Sequence, residues 1–315
     1  MEEKPPRSWL RPATRAFMQE ARTVPGFSLF DRLHGYVYTR WPYLYIGIGT
    51  GQHPLARLVG PVVRLVGRLF PANSTGGDQS AAFADTYHGK VVPLEAATQL
   101  VTVQEEVRLG DLGEQTIPYS LARDIVLQNP DHIVVLECPC RAARDEPCLP
   151  LDVCLVIGEP FASFVAEHHP RRARWIEQQE AVNILRAEDE RGHVHHAFFK
   201  DAMLGRFYAI CNCCSCCCGA MYAQRHGTPM LASSGYVARV DEGLCVACGS
   251  CADYCQFYAI AADDGFARID AAACMGCGVC LAHCPQEAIT LVRDPAKGEP
   301  LEIRDLMSRA IPSPS

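Results

Sequence analysis

The sequence predicts an α+β protein in which a mixed α/β, cysteine-rich domain is followed by a small duplicated module. Two observations carry this prediction. Between residues 84 and 235, segments with helical spacing alternate with short β-branched runs, which favours a mixed architecture over a helical bundle or a β-sandwich. Residues 236–294 then hold a cysteine pattern that recurs after 29 residues, which indicates an internal duplication.

The cysteine content sets the chemistry to expect. The chain has 315 residues, of which 18 are cysteines, and no apolar signal segment opens it. We therefore expect a cytoplasmic protein whose thiols serve as metal ligands rather than as disulfides. No run of about 18 uncharged apolar residues occurs, so no membrane-spanning helix is predicted.

Residues 1–83 are predicted to form a basic N-terminal extension and linker. Residues 1–70 carry ten Lys or Arg and four Asp or Glu, a balance of +6 within a chain of net charge −7. Residues 54–70 predict a helix that could make a peripheral membrane contact or pack on the protein's own core, since it combines an apolar surface with one basic face, Arg57, Arg64 and Arg68. The glycines of residues 47–51 predict a turn, and residues 71–83 predict a linker.

The middle region, residues 84–235, is predicted to contain three helices and two strands. Helical spacing covers residues 93–103, 117–129 and 177–191, and β-branched runs cover residues 132–138 and 153–158. Gly192, just past the third helix, is a typical stop signal. After the duplicated module, the tail of residues 295–315 is predicted to begin with a turn and to end in a short helix.

Ten cysteines of this middle region form two groups that could hold a metal. The first has the pattern C-x-C-x7-C-x5-C and comprises Cys138, Cys140, Cys148 and Cys154. The second is the run CNCCSCCC at residues 211–218. A further metal site held by the first group, alone or with part of the second, a redox-active thiol site, and a zinc or structural role all stay open. If the run is extended, alternation places Cys214, Cys216 and Cys218 on one side and Cys211, Cys213 and Cys217 on the other.

The strongest signal is the duplicated motif C-x2-C-x2-C-x3-C of residues 236–294. Three cysteines spaced by two residues let one tight loop wrap one side of a cluster, with backbone N–H groups directed at the sulfurs. Small residues are needed where the backbone approaches the inorganic core. The loops of the two repeats supply them at Ala247, Gly249, Ser250, Gly276 and Gly278. Zinc sites usually pair C-x2-C units across longer gaps, so the triple-cysteine run favours iron–sulfur clusters.

This motif resembles the bacterial two-[4Fe-4S] ferredoxin domain over residues 236–294. The resemblance implies a ferredoxin-like fold and two [4Fe-4S] clusters, each of which takes its fourth thiolate from the other repeat. One cluster would take Cys245, Cys248, Cys251 and Cys284; the other would take Cys274, Cys277, Cys280 and Cys255. One departure concerns the residue after the last cysteine of each repeat, which is Pro285 in the second and Gln256 in the first. We expect hydrogen bonding around the second cluster to differ for this reason.

Upstream, CPCR followed by CNCCSCCC resembles a group of cytoplasmic ferredoxin-type proteins that have no agreed activity. The predicted function is therefore electron transfer between redox partner proteins, with a third cluster possible in the middle domain. An oxidoreductase of the disulfide or sulfur-compound reductase type, in which the module feeds a cysteine-rich active site, and a redox subunit of a larger complex are the alternatives. No catalytic residue is predicted, and the net charge of −7 disfavours a nucleic-acid partner.

Overall fold

The computed structural model describes residues 10–56, 79–263 and 265–310. Residues 57–70 of the predicted amphipathic helix and residues 71–78 of the predicted linker lie outside these ranges. In these ranges, four helices precede the first strand: α1 (Pro12–Glu20), α2 (Leu29–Arg40), α3 (Pro42–Gly49) and α4 (Gln79–Thr86).

The predicted turn at residues 47–51 is wrong, because most of that segment belongs to α3. Pro42 starts this helix at a position where its missing N–H is not needed, and the apolar run that follows continues it. Only Gly51 adopts a left-handed conformation, with φ of 74°. Residues 79–83 of the predicted linker likewise belong to α4.

The largest element of the fold is an eight-stranded sheet. Its strands are β1 (Tyr87–Val91), β2 (Val107–Leu109), β3 (Ile125–Glu137), β4 (Asp152–Glu159), β5 (Ala173–Ile176), β6 (Val194–Lys200), β7 (Arg206–Cys213) and β8 (Leu231–Ala232). The order is β2-β3-β4-β7-β6-β1-β8, and β5 pairs with β3. The helices between them are α5 (Leu94–Val101), α6 (Pro139–Ala142), α7 (Phe161–His168), α8 (Gln178–Glu190) and α9 (Gly219–Arg225).

Both faces of this sheet are buried, which follows from the alternation of side chains along each strand. In β3, Ile133 and Val135 enter one core with α5 and α8, whereas Val134 and Leu136 enter a second core with α1 and α7. The second core also receives residues of α2, so the N-terminal extension packs on the middle region.

The predicted helices over residues 93–103 and 177–191 and the predicted strands over 132–138 and 153–158 are confirmed. The predicted helix over residues 117–129 is wrong. Ile125–Leu127 instead begin β3 and pair antiparallel with β2, where Val107 faces Leu127 and Leu109 faces Ile125. The β-branched pair Ile125-Val126 suits a strand, and the sheet supplies a hydrogen-bonding partner that helical spacing alone does not reveal.

The duplicated module contains two antiparallel strand pairs and two short helices. Its elements are β9 (Tyr236–Val240), α10 (Ser250–Asp253), β10 (Ile260–Asp263), β11 (Phe266–Ile269), α11 (Val279–Ala282) and β12 (Ile289–Arg293). Strand β9 pairs with β12, and β10 pairs with β11. The mixed helix and strand content predicted for the chain is thus confirmed.

The chain after the module returns to the large sheet. A 3₁₀ turn (Pro295–Lys297) leads to α12 (Ile303–Ala310), as the sequence predicts for the tail. Leu301 and Ile303 are buried in the core beneath α5. Within the described ranges, no helix is both long and apolar enough to cross a membrane.

Candidate metal centres

The eight cysteines of the module line two separate cavities. The outer cysteine set, which surrounds the first cavity, is Cys245, Cys248, Cys251 and Cys284. The inner cysteine set, which surrounds the second, is Cys255, Cys274, Cys277 and Cys280. Each set combines three cysteines of one repeat with the last cysteine of the other, which is the crossed arrangement that the resemblance implies.

Main-chain N–H groups point at the sulfurs in a duplicated manner. Ala259 N–H donates to Cys255 Sγ and Ala288 N–H donates to Cys284 Sγ, both at 3.3 Å. Each donor follows its acceptor by four residues. Such bonds stabilise a thiolate and the added charge of a reduced cluster, so the backbone of both repeats is suited to an iron–sulfur group.

The two sets differ in their exposure to solvent. Each set has buried members, Cys251 in the outer set and Cys274 and Cys280 in the inner set, but only the outer set has an exposed one, Cys248. Burial raises the pKa of the free Cys280 thiol to about 12. The outer set therefore faces solvent, and the inner set faces the body of the protein.

The loop that carries the inner set, residues 274–280, is packed closely against both β9 of the module and the large sheet. A Cβ atom added at Gly276 would lie 2.2 Å from the carbonyl oxygen of Tyr236, and φ at Gly276 is 65°. Ser234 Oγ donates to Gly276 O at 2.7 Å. Val279 packs with Val91 and Val194 of the large sheet. Glycine is thus required at 276 by close approach of a second segment as well as by the loop conformation.

A second contact between module and body involves the residues that precede the last cysteine of each repeat. The rings of Tyr254 and His283 stack at 3.5 Å between centroids, and His283 Nε2 donates to Asp189 O of α8 at 3.3 Å. This contact places the module at the C-terminal end of α8.

Gln256, the departure from the proline pattern, links the module to the cysteine run of residues 211–218. Its side-chain oxygen accepts a hydrogen bond from Ser215 N–H at 2.8 Å. Tyr258 O–H also contacts Ser215 Oγ, at 3.3 Å. A proline at position 256 would lack this acceptor. The departure from proline therefore adds a hydrogen bond that connects the module to the cysteine run of residues 211–218.

Replacing Gln256 with alanine is expected to loosen this connection without removing metal. One hydrogen bond contributes about 1 kcal/mol, so amide exchange around Ser215 should accelerate roughly fivefold. Hydrogen–deuterium exchange with iron counting measures both quantities. The matched control is Gln286→Ala, since Gln286 lies beside the outer set and makes no side-chain hydrogen bond to the described part of the 211–218 run. Equal acceleration in both variants would contradict the assignment.

Eight cysteines of the middle region line a cavity within the second core of the large sheet, which we call the thiol cavity. Six of them belong to no other cysteine group: Cys138, Cys140, Cys154, Cys211, Cys213 and Cys218. The other two are Cys214 and Cys217. The empty volume of the cavity is about 850 Å³, part of which opens to solvent. Contacts between thiols run in series from Cys211 through Cys154, Cys138, Cys140 and Cys218 to Cys213. The interaction with Cys140, followed by burial, raises the pKa of the free Cys138 thiol to about 12.

Neighbouring strands bring these cysteines together. Cys154 lies in β4, and Cys211 and Cys213 lie two residues apart in β7, which pairs with β4. Residues two apart in a strand point to the same side of the sheet. Cys138 follows β3, and Cys218 precedes α9. A buried all-thiol donor set suits a soft metal group, and iron–sulfur clusters are the main example.

Arg141, directly after Cys140, holds the walls of the thiol cavity. Its guanidinium donates to Pro150 O at 2.6 Å and to Asn212 O at 3.1 Å, and it pairs with the Glu188 carboxylate. The side chains of both Arg141 and Glu188 are at most 1% exposed. Burial alone would raise the pKa of Glu188, but the hydrogen bond from His193 and the charge of Arg141 lower it below its usual value. The pair therefore stays ionised.

Three tyrosines line the thiol cavity as well, and no sequence signal pointed to them. Tyr38 and Tyr208 share a hydrogen bond of 2.6 Å between hydroxyl oxygens, and both are buried. Burial raises the pKa of Tyr208. The Lys200 ammonium lies 5.1 Å from the Tyr38 ring centroid and 5.3 Å from that of Tyr87. This side of the cavity thus presents protonated hydroxyl groups.

Four cysteines of the middle region form a compact four-thiol group, which comprises Cys148, Cys214, Cys216 and Cys217. Cys214 and Cys217 also line the thiol cavity. The four cysteines Cys138, Cys140, Cys148 and Cys154 are consequently divided: Cys148 lies in the four-thiol group and the other three line the thiol cavity. The alternation expected along residues 211–218 holds for Cys211 and Cys213. It fails afterwards, because residues 215–217 form a turn.

His168, His193 and His195 each form a hydrogen bond with a residue other than cysteine. His168 shares a hydrogen bond with Thr14 Oγ1 at 2.7 Å, His193 with Glu188 at 2.7 Å and His195 with Asn212 Oδ1 at 2.6 Å. In the described ranges, no histidine belongs to a compact group of potential metal ligands.

Comparison with known families agrees with the geometry of the module. Residues 237–285 match the family described as the 4Fe-4S dicluster domain. The match supports an iron–sulfur, metal-binding domain in this segment. Comparison with curated proteins and with solved structures gave no significant match.

Proposed function

We propose that this protein transfers electrons through two [4Fe-4S] clusters held by the outer and inner cysteine sets. The observation that carries the proposal is the pair of crossed sets, each around its own cavity, within a segment that matches a dicluster domain. A cluster in the outer set would exchange electrons with redox partner proteins, because Cys248 is exposed there. The acidic balance of the chain after residue 70 suits docking on basic surfaces in the cytoplasm.

One aromatic side chain, Phe257, lies between the inner cysteine set and the core that contains the thiol cavity. Phe257 lines the inner cavity and also packs against the second core, which contains the thiol cavity. Its ring centroid lies 6.5 Å from that of His196, and His196 is the cross-strand partner of Cys211. Buried contacts of this kind support electron transfer from the module to a redox group in the thiol cavity, where six thiols could hold a third iron–sulfur cluster.

Anaerobic purification tests this function. We expect about eight iron and eight sulfide per chain from the module, and about four more of each if the thiol cavity holds a cluster. Electron paramagnetic resonance spectra of the dithionite-reduced protein and of its Cys138→Ser variant should then be compared. Signals that remain in the variant come from the module, and signals that the variant loses come from a cluster in the thiol cavity. Colourless protein, or protein with zinc in the outer and inner sets, would overturn the proposal.

A reductase is the second candidate, and the Tyr38–Tyr208 pair favours it. Reduction of a disulfide consumes two electrons and two protons. Two one-electron clusters in the module would supply the electrons, and the tyrosine hydroxyl groups that line the thiol cavity would relay the protons. Under this function, Tyr208→Phe should slow reduction of a small disulfide or polysulfide at least tenfold and leave reduction of the module's clusters unchanged. If both rates stay the same, the tyrosine pair has no catalytic part.

A further inference from the structure

The four-thiol group is tighter than a cubane cluster allows. All four Sγ atoms lie within 4.8 Å of one another. The Sγ–Sγ separations are 3.1 Å for Cys148–Cys216, 3.2 Å for Cys214–Cys216, 3.7 Å for Cys148–Cys214 and 3.7 Å for Cys216–Cys217. Four thiolates bound tetrahedrally to one ion, with metal–sulfur bonds of about 2.3 Å, stand about 3.8 Å apart.

The module supplies an internal standard for this comparison. In a cubane each thiolate binds a different iron, so the four sulfurs must stand further apart than around a single ion. In the described ranges, the four-thiol group is the one cysteine set whose Sγ atoms all lie within 4.8 Å of one another. The outer and inner cysteine sets are not that compact. The two kinds of site are thus distinguished within one chain.

We propose that Cys148, Cys214, Cys216 and Cys217 bind a single thiophilic divalent ion, Zn²⁺ or Fe²⁺, in tetrahedral coordination. The group joins two segments that are far apart in sequence, the loop between α6 and β4 and the turn after β7. Both segments also carry cysteines of the thiol cavity at their ends, and Cys214 and Cys217 line that cavity themselves. A closed four-thiolate site is the usual form of a structural metal, and here it would fix one wall of the thiol cavity.

The contacts around the group support a metal over a disulfide. Cys148 and Cys216 are close enough for a reactive pair, but a disulfide would leave Cys214 and Cys217 buried beside it without a ligand. Arg144, four residues before Cys148, donates to Cys217 O at 3.2 Å and so places a positive charge beside four thiolates that one divalent ion leaves at net charge −2.

Metal analysis of the full chain, purified anaerobically with its clusters, tests the site. We expect one ion per chain in excess of the sulfide-matched iron. Mass spectrometry under native conditions identifies it as zinc or iron, and Co²⁺ exchanged into the site should give the intense thiolate-to-cobalt charge-transfer bands of tetrahedral S₄ coordination. Cys148→Ser and Cys216→Ser should each lose this ion, and neither residue lines the thiol cavity.

Cys211→Ser is the matched control, because it lies in the same run but outside the four-thiol group. It should keep the extra ion even if iron and sulfide from the thiol cavity are lost. Three results would overturn the proposal: no ion beyond the sulfide-matched iron, a Cys148–Cys216 disulfide in the purified protein, or a Cys148→Ser variant that loses iron and sulfide together but keeps the extra ion. The first two are measured on the unaltered chain, so a misfolded variant would not obscure them.

Discussion

Replacing Cys255 with alanine should remove about four of the eight iron atoms expected in the module, and the loss should match that of Cys277→Ala. These two cysteines lie in different repeats but in the same inner set. Cys251→Ala should also remove about four iron atoms, yet from the other cluster, because Cys251 belongs to the outer set. Cys251→Ala and Cys255→Ala lie four positions apart in one repeat but should remove different clusters. Cys255→Ala and Cys277→Ala lie in different repeats but should remove the same cluster.

Iron counting by native mass spectrometry and electron paramagnetic resonance of the reduced variants check this prediction. Cys255→Ala and Cys277→Ala should retain the spectrum of the exposed cluster, and Cys251→Ala should retain that of the buried one. If Cys255→Ala instead matched Cys251→Ala, each cluster would be held within one repeat and the crossed assignment would be wrong. Because the crossing joins both repeats around both clusters, chelation of all iron is expected to unfold the module.

Replacing Arg141 with methionine is expected to lower the free energy of unfolding by about 3 kcal/mol, the lower end of the usual cost of removing one partner of a buried ion pair, because Arg191 and His193 still contact Glu188. Glu188 would keep its charge in a site that is 0% exposed, and the anchors to Pro150 O and Asn212 O would be lost. Anaerobic urea denaturation measures the change.

Arg191→Met is the matched control for Arg141→Met. Arg191 pairs with the same Glu188 carboxylate at 3.0 Å, but its side chain is 45% exposed, so we expect a cost of at most about 1 kcal/mol. The double variant Arg141→Met, Glu188→Leu should recover much of the stability, since it removes both buried charges. Similar costs for Arg141→Met and Arg191→Met would show that burial of the pair does not dominate.

The module was the part most open to prediction, because its pattern is local. Three cysteines within seven residues are suited to wrap one side of a cluster, and the resemblance to two-cluster ferredoxin domains implies that the fourth cysteine comes from the other repeat. The strands over residues 132–138 and 153–158 were equally readable from continuous apolar runs. The helix expected over residues 117–129 failed, because its spacing is also compatible with a strand that finds its partner in β2.

The sequence by itself determined that this is a thiol-rich α+β protein with a duplicated cysteine module at residues 236–294, and its resemblance to two-cluster ferredoxin domains implied the crossed sets. Only the tertiary structure decided how the other ten cysteines divide, since Cys148 meets Cys214 across 66 residues and Cys154 meets Cys211 across paired strands. Tertiary contacts likewise turn Gln256 into a link to Ser215 and place Arg141 against Glu188. The physical reason is that spacing reports which side chains share a loop, whereas the order of strands in a sheet sets which distant segments become neighbours.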